Sequence, residues 1–222
     1  LPTEITAGLH VGAVSEREDV RDALVARGGI TSFDSLPKGA RVGTSSLRRQ
    51  SQIRAVRSDL MMEPVRGNVD TRLRKVEGGG FDAVILASAG LRRLGHADRI
   101  TEYLDESLVL PAVGQGALGI QTRADDKAIN EIVKGLDHAA THAECAAERA
   151  FLAGLGGGCI VPIAALAKIN GDDLHLRGLV ASPDGAESIR GEGTGPARAP
   201  EALGRKLADE LISRGADRLL SV

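Results

Sequence analysis

The sequence predicts an α/β fold with a mostly parallel sheet, followed by a small C-terminal α+β unit. Three observations carry this. Strand–turn–helix segments repeat in series from Arg41. "FDAVILASAG" is a continuous apolar run with a turn behind it, as in a strand covered on both faces. Beyond Cys159 the hydrophobic period changes to that of hairpin strands.

Taken in order, "SEREDVRDALVARG" is highly charged with short apolar steps and reads as a linker leading into a helix. "RVGTSSLRRQSQIRAV" reads as a short strand, a small-residue turn at Thr44–Ser46 and a helix starting there. "EPVRGNVDTRLRKVEGGG" repeats the scheme, with Asn68 as N-cap and glycines as the stop. "LPAVGQGALGIQTR" has the glycine spacing of a second crossing between domains. In "THAECAAERAFLAGLGGG", Thr141 and Glu144 have capping-box spacing ahead of a helix. "IVPIAALAKI" and "LHLRGLVAS" flank "NGDD", a hairpin signal, and "PDG" turns the chain into "AESIRGEG". Leu203, Leu207 and Leu211 recur at helical spacing in the last helix, which ends before Gly215.

Composition narrows the function. Formal net charge is −2 and aromatics are 2%, so neither a global basic field nor base-stacking platforms draw the chain to nucleic acid. Two cysteines in 222 residues make no disulfide framework and fit a reducing cytosol. The uncharged run from Ala150 to Ala167 contains Gly156, Gly157, Gly158 and Pro162. Those residues break a lipid-exposed helix, so the run reads as helix, glycine turn and strand.

One stretch departs from this balance. Arg41 to Arg74 holds eight arginines against three acids, a local charge of +5. Most arginines are solvated, but Arg48 and Arg49 follow a helix-start turn and Arg66 sits at a strand end before Gly67–Asn68. Helix N-termini favour anions, and guanidinium forks grip carboxylates or phosphates. Two such turns side by side form a pocket for a ligand with many anionic groups. Arg57 is expected on an exposed face. His138, His142 and Cys145 do not share a helix face if Thr141 is the N-cap, which argues against a metal site; Cys145 reads as a small buried helix residue. Cys159 follows three glycines that leave its sulfur open to approach, against the alternatives of burial, a disulfide or a metal ligand.

Together these pieces resemble the porphobilinogen deaminase (hydroxymethylbilane synthase) family. The matching stretches are "VGTSSLRRQ", "RGNVDTRL", "ILASAGLRRLG", "LPAVGQGALGI", "AERAFL" and "GGGCIVPIAA", in family order over nearly the whole chain. The resemblance implies periplasmic-binding-protein-like (type II) α/β domains with mixed, mostly parallel sheets and a C-terminal domain with a three-stranded antiparallel sheet. It divides the chain into a part of domain 1 (residues 1–16 and 116–137), domain 2 (17–115) and domain 3 (138–222).

The resemblance implies a cytoplasmic, monomeric transferase of haem biosynthesis that condenses four porphobilinogen units on a dipyrromethane cofactor and releases linear hydroxymethylbilane, with neither nucleic acid nor membrane as partner. Carried over, Cys159 is the thioether attachment site. Arg48, Arg49, Arg66, Arg72 and Arg93 match arginines that bind acetate and propionate groups, Thr44 and Ser46 match polar contacts at the same turn, and Gln115 matches the interdomain segment. Each porphobilinogen brings two carboxylates, which suits the permanent charge and paired donors of arginine. In the family a catalytic Asp lies just before the position that Leu1 occupies in "LPTEI". No catalytic acid/base is therefore expected from Leu1 onward, and the isolated chain is expected to be inactive. The alternative reading is a non-catalytic anion-binding module of periplasmic-binding-protein type, which needs the arginines but no open thiol.

Overall fold

The computed structural model describes residues 5–157 and 162–220. Its centre is a five-stranded sheet of β2 (Asp22–Ala26), β3 (Arg41–Gly43), β4 (Met61–Glu63), β5 (Ala83–Ala87) and β6 (Glu102–Tyr103), in the order β4-β3-β5-β2-β6. β3 pairs in parallel with β4 and β5, while β2 runs antiparallel to both β5 and β6. Four strands therefore point one way and one returns between them, the periplasmic-binding-protein-like type II arrangement. β2 corrects the expectation of a linker entering a helix. "DALVA" alternates between two cores, Leu24 packing with one cluster and Ala23 and Val25 with the other. Burial on both faces fixes the segment as a central strand despite its charged surroundings.

Helices cover both faces. α1 (Leu47–Val56) packs Ile53 with Val42, Ile85 and Leu104. On the other face α2 (Val69–Glu77) and α3 (Ser88–Arg93) contribute Leu73, Val76 and Leu91. Ser46 caps α1 by accepting from the Arg49 N–H at 3.4 Å, and Asn68 caps α2 by accepting from the Thr71 N–H at 2.9 Å. Both turns lie at the carboxyl ends of parallel strands, where open α/β sheets place ligands.

β1 (Leu9–Val14) pairs antiparallel with β7 (Gly119–Arg123), beside α4 (Lys127–Lys134). The segments leading from β1 into the large sheet and back to β7 bond to one another: the Glu18 N–H donates to the Gly116 carbonyl at 3.2 Å and the Ser15 N–H to Leu118 at 2.9 Å. "LPAVGQGALG" is this return.

The C-terminal part is an antiparallel sheet of β8 (Ile163–Asn170), β9 (Asp173–Ala181) and β10 (Ser188–Pro196), in the order β10-β9-β8. α5 (Ala139–Gly154) and α6 (Pro200–Ser213) cover one face, burying Phe151, Leu203, Leu207 and Leu211; α7 (Ala216–Leu220) follows. The other face meets the crossing through Leu110, Ala164, Leu166 and Leu179. α5 corrects the capping-box expectation. Its N-cap is His138, whose Nδ1 accepts from the Thr141 N–H at 3.3 Å, while Glu144 accepts instead from the Ile169 N–H at 3.1 Å. The Glu144 side chain is drawn to the edge of β8, so the helix start falls to the imidazole. No described helix is long and apolar enough to cross a membrane.

Candidate functional site

The site is built from the turns after β3, β4 and β5. Thr44 is buried: its N–H donates to the Glu63 carbonyl at 2.9 Å and its hydroxyl oxygen accepts from the Ser46 N–H at 3.3 Å. The Ser45 hydroxyl donates to the Val65 carbonyl at 2.9 Å and ties the first turn to the second. A Cβ on Gly67, which has φ +113°, would strike the Thr71 side chain, so the backbone before α2 needs glycine.

Arg48 and Arg49 point inward from the first turn of α1 and meet a carboxylate within the chain. Asp22, wholly buried at the start of β2, accepts from Arg48 NH1 at 2.8 Å through Oδ2 and from Arg49 Nε and NH2 at 3.0 and 2.7 Å through Oδ1. Gln115 joins them: its amide donates to Asp22 Oδ1 at 3.0 Å and to the Val20 carbonyl at 2.7 Å, and its Oε1 accepts from Arg48 NH2 at 3.3 Å. Burial by itself would raise the Asp22 pKa, but the two guanidiniums override it and bring the carboxyl down to about 2. Burial also lowers the Arg48 pKa.

The other arginines divide sharply. Arg72 is half-buried and donates to the Gly67 carbonyl at 2.9 Å; its pKa is lowered by burial and by the neighbouring charge of Arg49. Arg93 reaches the Gly116 carbonyl at 2.7 Å, beside Gln115. Arg66 is exposed, and among the described residues no hydrogen bond or ion pair engages its guanidinium. Arg41 pairs with Glu63 at 2.8 Å, and Arg54 donates to the Pro183 carbonyl at 3.1 Å. Arg57 is not on an exposed face: it is half-buried, pairs with Asp59 at 2.8 Å and donates to the Leu36 carbonyl at 3.0 Å. The loop before β3 wraps over it, which the sequence pattern of α1 does not reveal. Two of the expected positions lie outside the described residues: Cys159, and Leu1, the position that the family's catalytic Asp precedes.

A second buried pair fixes the crossing. Glu148 of α5, fully buried, accepts from Arg17 NH1 and NH2 at 2.7 and 3.1 Å, from the Gly114 N–H at 2.6 Å and from the Ala167 N–H at 2.8 Å. Burial raises its pKa above the ordinary carboxylate value, opposed by Arg17 and the two backbone donors. Asp22, Arg17 and Glu148 are the buried charged residues around the candidate site and the crossing that sequence reasoning missed. Their signal was faint: an acid heading the apolar run "DALV", and an Arg–Glu pair 131 residues apart. Cys145 is buried, and burial pushes its thiol up to about 12. No described group of three or more His, Cys, Asp or Glu is arranged to hold a metal ion.

Comparison with known proteins decides the family. Residues 1–131 match the family described as "Porphobilinogen deaminase, dipyromethane cofactor binding domain", and residues 142–213 match "Porphobilinogen deaminase, C-terminal domain". The porphobilinogen deaminase of Carboxydothermus hydrogenoformans is 50% identical over 220 residues, covering 99% of this chain and 70% of that protein. The chain belongs to the porphobilinogen deaminase family. The Desulforudis audaxviator porphobilinogen deaminase is 51% identical over 221 residues, 100% of this chain and 71% of the relative. A solved substrate-binding domain of a putative amino acid ABC transporter from Streptococcus pneumoniae is 15% identical over 55% of this chain and 56% of that one, with a TM-score of 0.38. As a porphobilinogen deaminase the protein is a hydroxymethylbilane synthase, a transferase of tetrapyrrole biosynthesis with a dipyrromethane cofactor. This assignment favours the enzyme over a non-catalytic anion-binding module.

Proposed function

We propose that Cys159 carries the dipyrromethane and that Arg49, Arg66 and Arg72, with Arg93 at the edge, hold the carboxylates of the cofactor and of each incoming porphobilinogen. The observation that carries this reading is the donor balance at the turns. A guanidinium has five N–H donors. Among the described residues three on Arg49 go to Asp22 and the Ile85 carbonyl, leaving one on each terminal nitrogen beside Arg72. Arg66 stands uncommitted among the described residues at the next turn. A dicarboxylate pyrrole fits that set, because each acid finds a cation and an N–H donor without displacing a protein partner. When bound, the cofactor supplies the pyrrole on which the chain of four units is built.

The protein's own groups bind and orient. Thr44 and Ser46 hold the α1 turn, and Arg48 and Gln115 anchor it to the crossing. The division into residues 1–16 with 116–137, 17–115 and 138–222 follows the three sheets, and we assign the enzyme to the cytoplasm as a monomer that takes neither nucleic acid nor membrane as partner. The test is intact mass together with an aldehyde reagent for pyrroles. Cys159→Ser is expected to lose the covalent dipyrromethane and its colour, while Cys145→Ser, whose thiol is buried, keeps both. Colour and added mass persisting in Cys159→Ser overturn the assignment.

A further inference from the structure

Asp22 carries more than its burial requires. Two guanidiniums converge on one carboxylate, so the cluster keeps one net positive charge. The carboxylate sorts the two arginines into different surroundings. Arg48 faces the crossing, giving NH1 also to the Leu110 carbonyl at 2.7 Å and NH2 to Gln115 at 3.3 Å. Arg49 faces Arg72 and, among the described residues, keeps two spare N–H donors. Gln115 donates to Oδ1, the same oxygen that holds Arg49.

We infer that Asp22 is a positioning residue: it fixes the guanidinium of Arg49 toward a pyrrole carboxylate and ties that guanidinium, through Arg48 and Gln115, to the segment returning to β7. The inference rests on the reading of Arg49 as a ligand-binding group. A ligand acid bound at Arg49 shares its guanidinium with Asp22, so occupancy of the site alters the charge balance felt by Arg48 and Gln115. Site and crossing are thereby coupled through one carboxylate, with no change in backbone needed to carry the effect.

The experiment compares four chains by calorimetric titration with porphobilinogen, by melting temperature and by the dipyrromethane mass retained: wild type, Asp22→Asn, Asp22→Asn with Arg48→Met, and Arg49→Leu. The double variant removes one cation together with the anion and keeps one net positive charge, so it separates positioning from neutralisation. Loss of a charge-assisted anchor predicts binding weaker by roughly ten-fold or more in both Asp22 variants. The double variant should stay weak even where its melting temperature returns toward wild type; if it melts early, the titration is run below its midpoint. Wild-type affinity in the double variant overturns the positioning role while leaving the site reading intact. Wild-type affinity in Arg49→Leu overturns the site reading, and this inference with it.

Discussion

Arg48 and Arg49 are adjacent in sequence and identical in chemistry, yet one is committed to the crossing and the other, among the described residues, keeps two N–H donors unengaged. Substitution should follow that split. Arg49→Leu and Arg66→Leu are expected to weaken porphobilinogen binding by roughly ten- to a hundred-fold, from about 1.5–3 kcal/mol per charge-assisted bond. Arg123→Leu is the control: its side chain is 71% exposed and, among the described residues, pairs only along its own surface with Asp126, so its loss should cost less than about 0.5 kcal/mol. Equal losses in all three, measured by calorimetric titration, would move the site elsewhere. Much of this was legible in the sequence, because helix-start arginines after small-residue turns have a local cause. Asp22 was not, since a buried acid is explained only by partners that arrive from residues 48, 49 and 115.

At the scale of elements, the repeated strand–turn–helix units follow from local pattern and caps, whereas β2 is a strand because its neighbours make it one. The glycines of the return segment are a finer case. Gly114 and Gly116 both have positive φ, but an added Cβ at 114 meets open space while one at 116 overlaps the Glu18 carbonyl. Gly114→Ala is therefore expected to cost about 1 kcal/mol through backbone strain, and Gly116→Ala about 2 kcal/mol or more. For a chain of this size that is a drop of roughly 2–4 °C against 4–8 °C in melting temperature, read by calorimetry. Similar drops for the two would mean that the crossing segments are not packed as described. Sequence alone marks both glycines as turn residues, and only the approach of a segment nearly a hundred positions away separates them.

For the whole molecule, the buried charges set the response to acid. The Asp22 pKa is lowered to about 2 from an ordinary 3.8, so its contribution is present above pH 4 and is lost as pH falls toward 2. The sign for Glu148 is opposite: its raised pKa gives a contribution present below its ordinary value of 4.5 and lost as pH rises through the folded value. Between pH 4 and 2 the Asp22 contribution is expected to remove on the order of 2 kcal/mol. Urea midpoints measured across that range should fall steeply in wild type and less so in the Asp22→Asn, Arg48→Met double variant. Parallel slopes would show that another carboxylate governs the acid limb.

The bonded crossing segments have a topological consequence. Because Ser15 meets Leu118 and Glu18 meets Gly116, the polypeptide leaves the β1–β7 pair and comes back to it through a single doorway. The five-stranded sheet is in that sense an inserted body with its two ends side by side. Any swing of that body against the β1–β7 pair passes through both crossing segments at once, and neither moves without carrying the other.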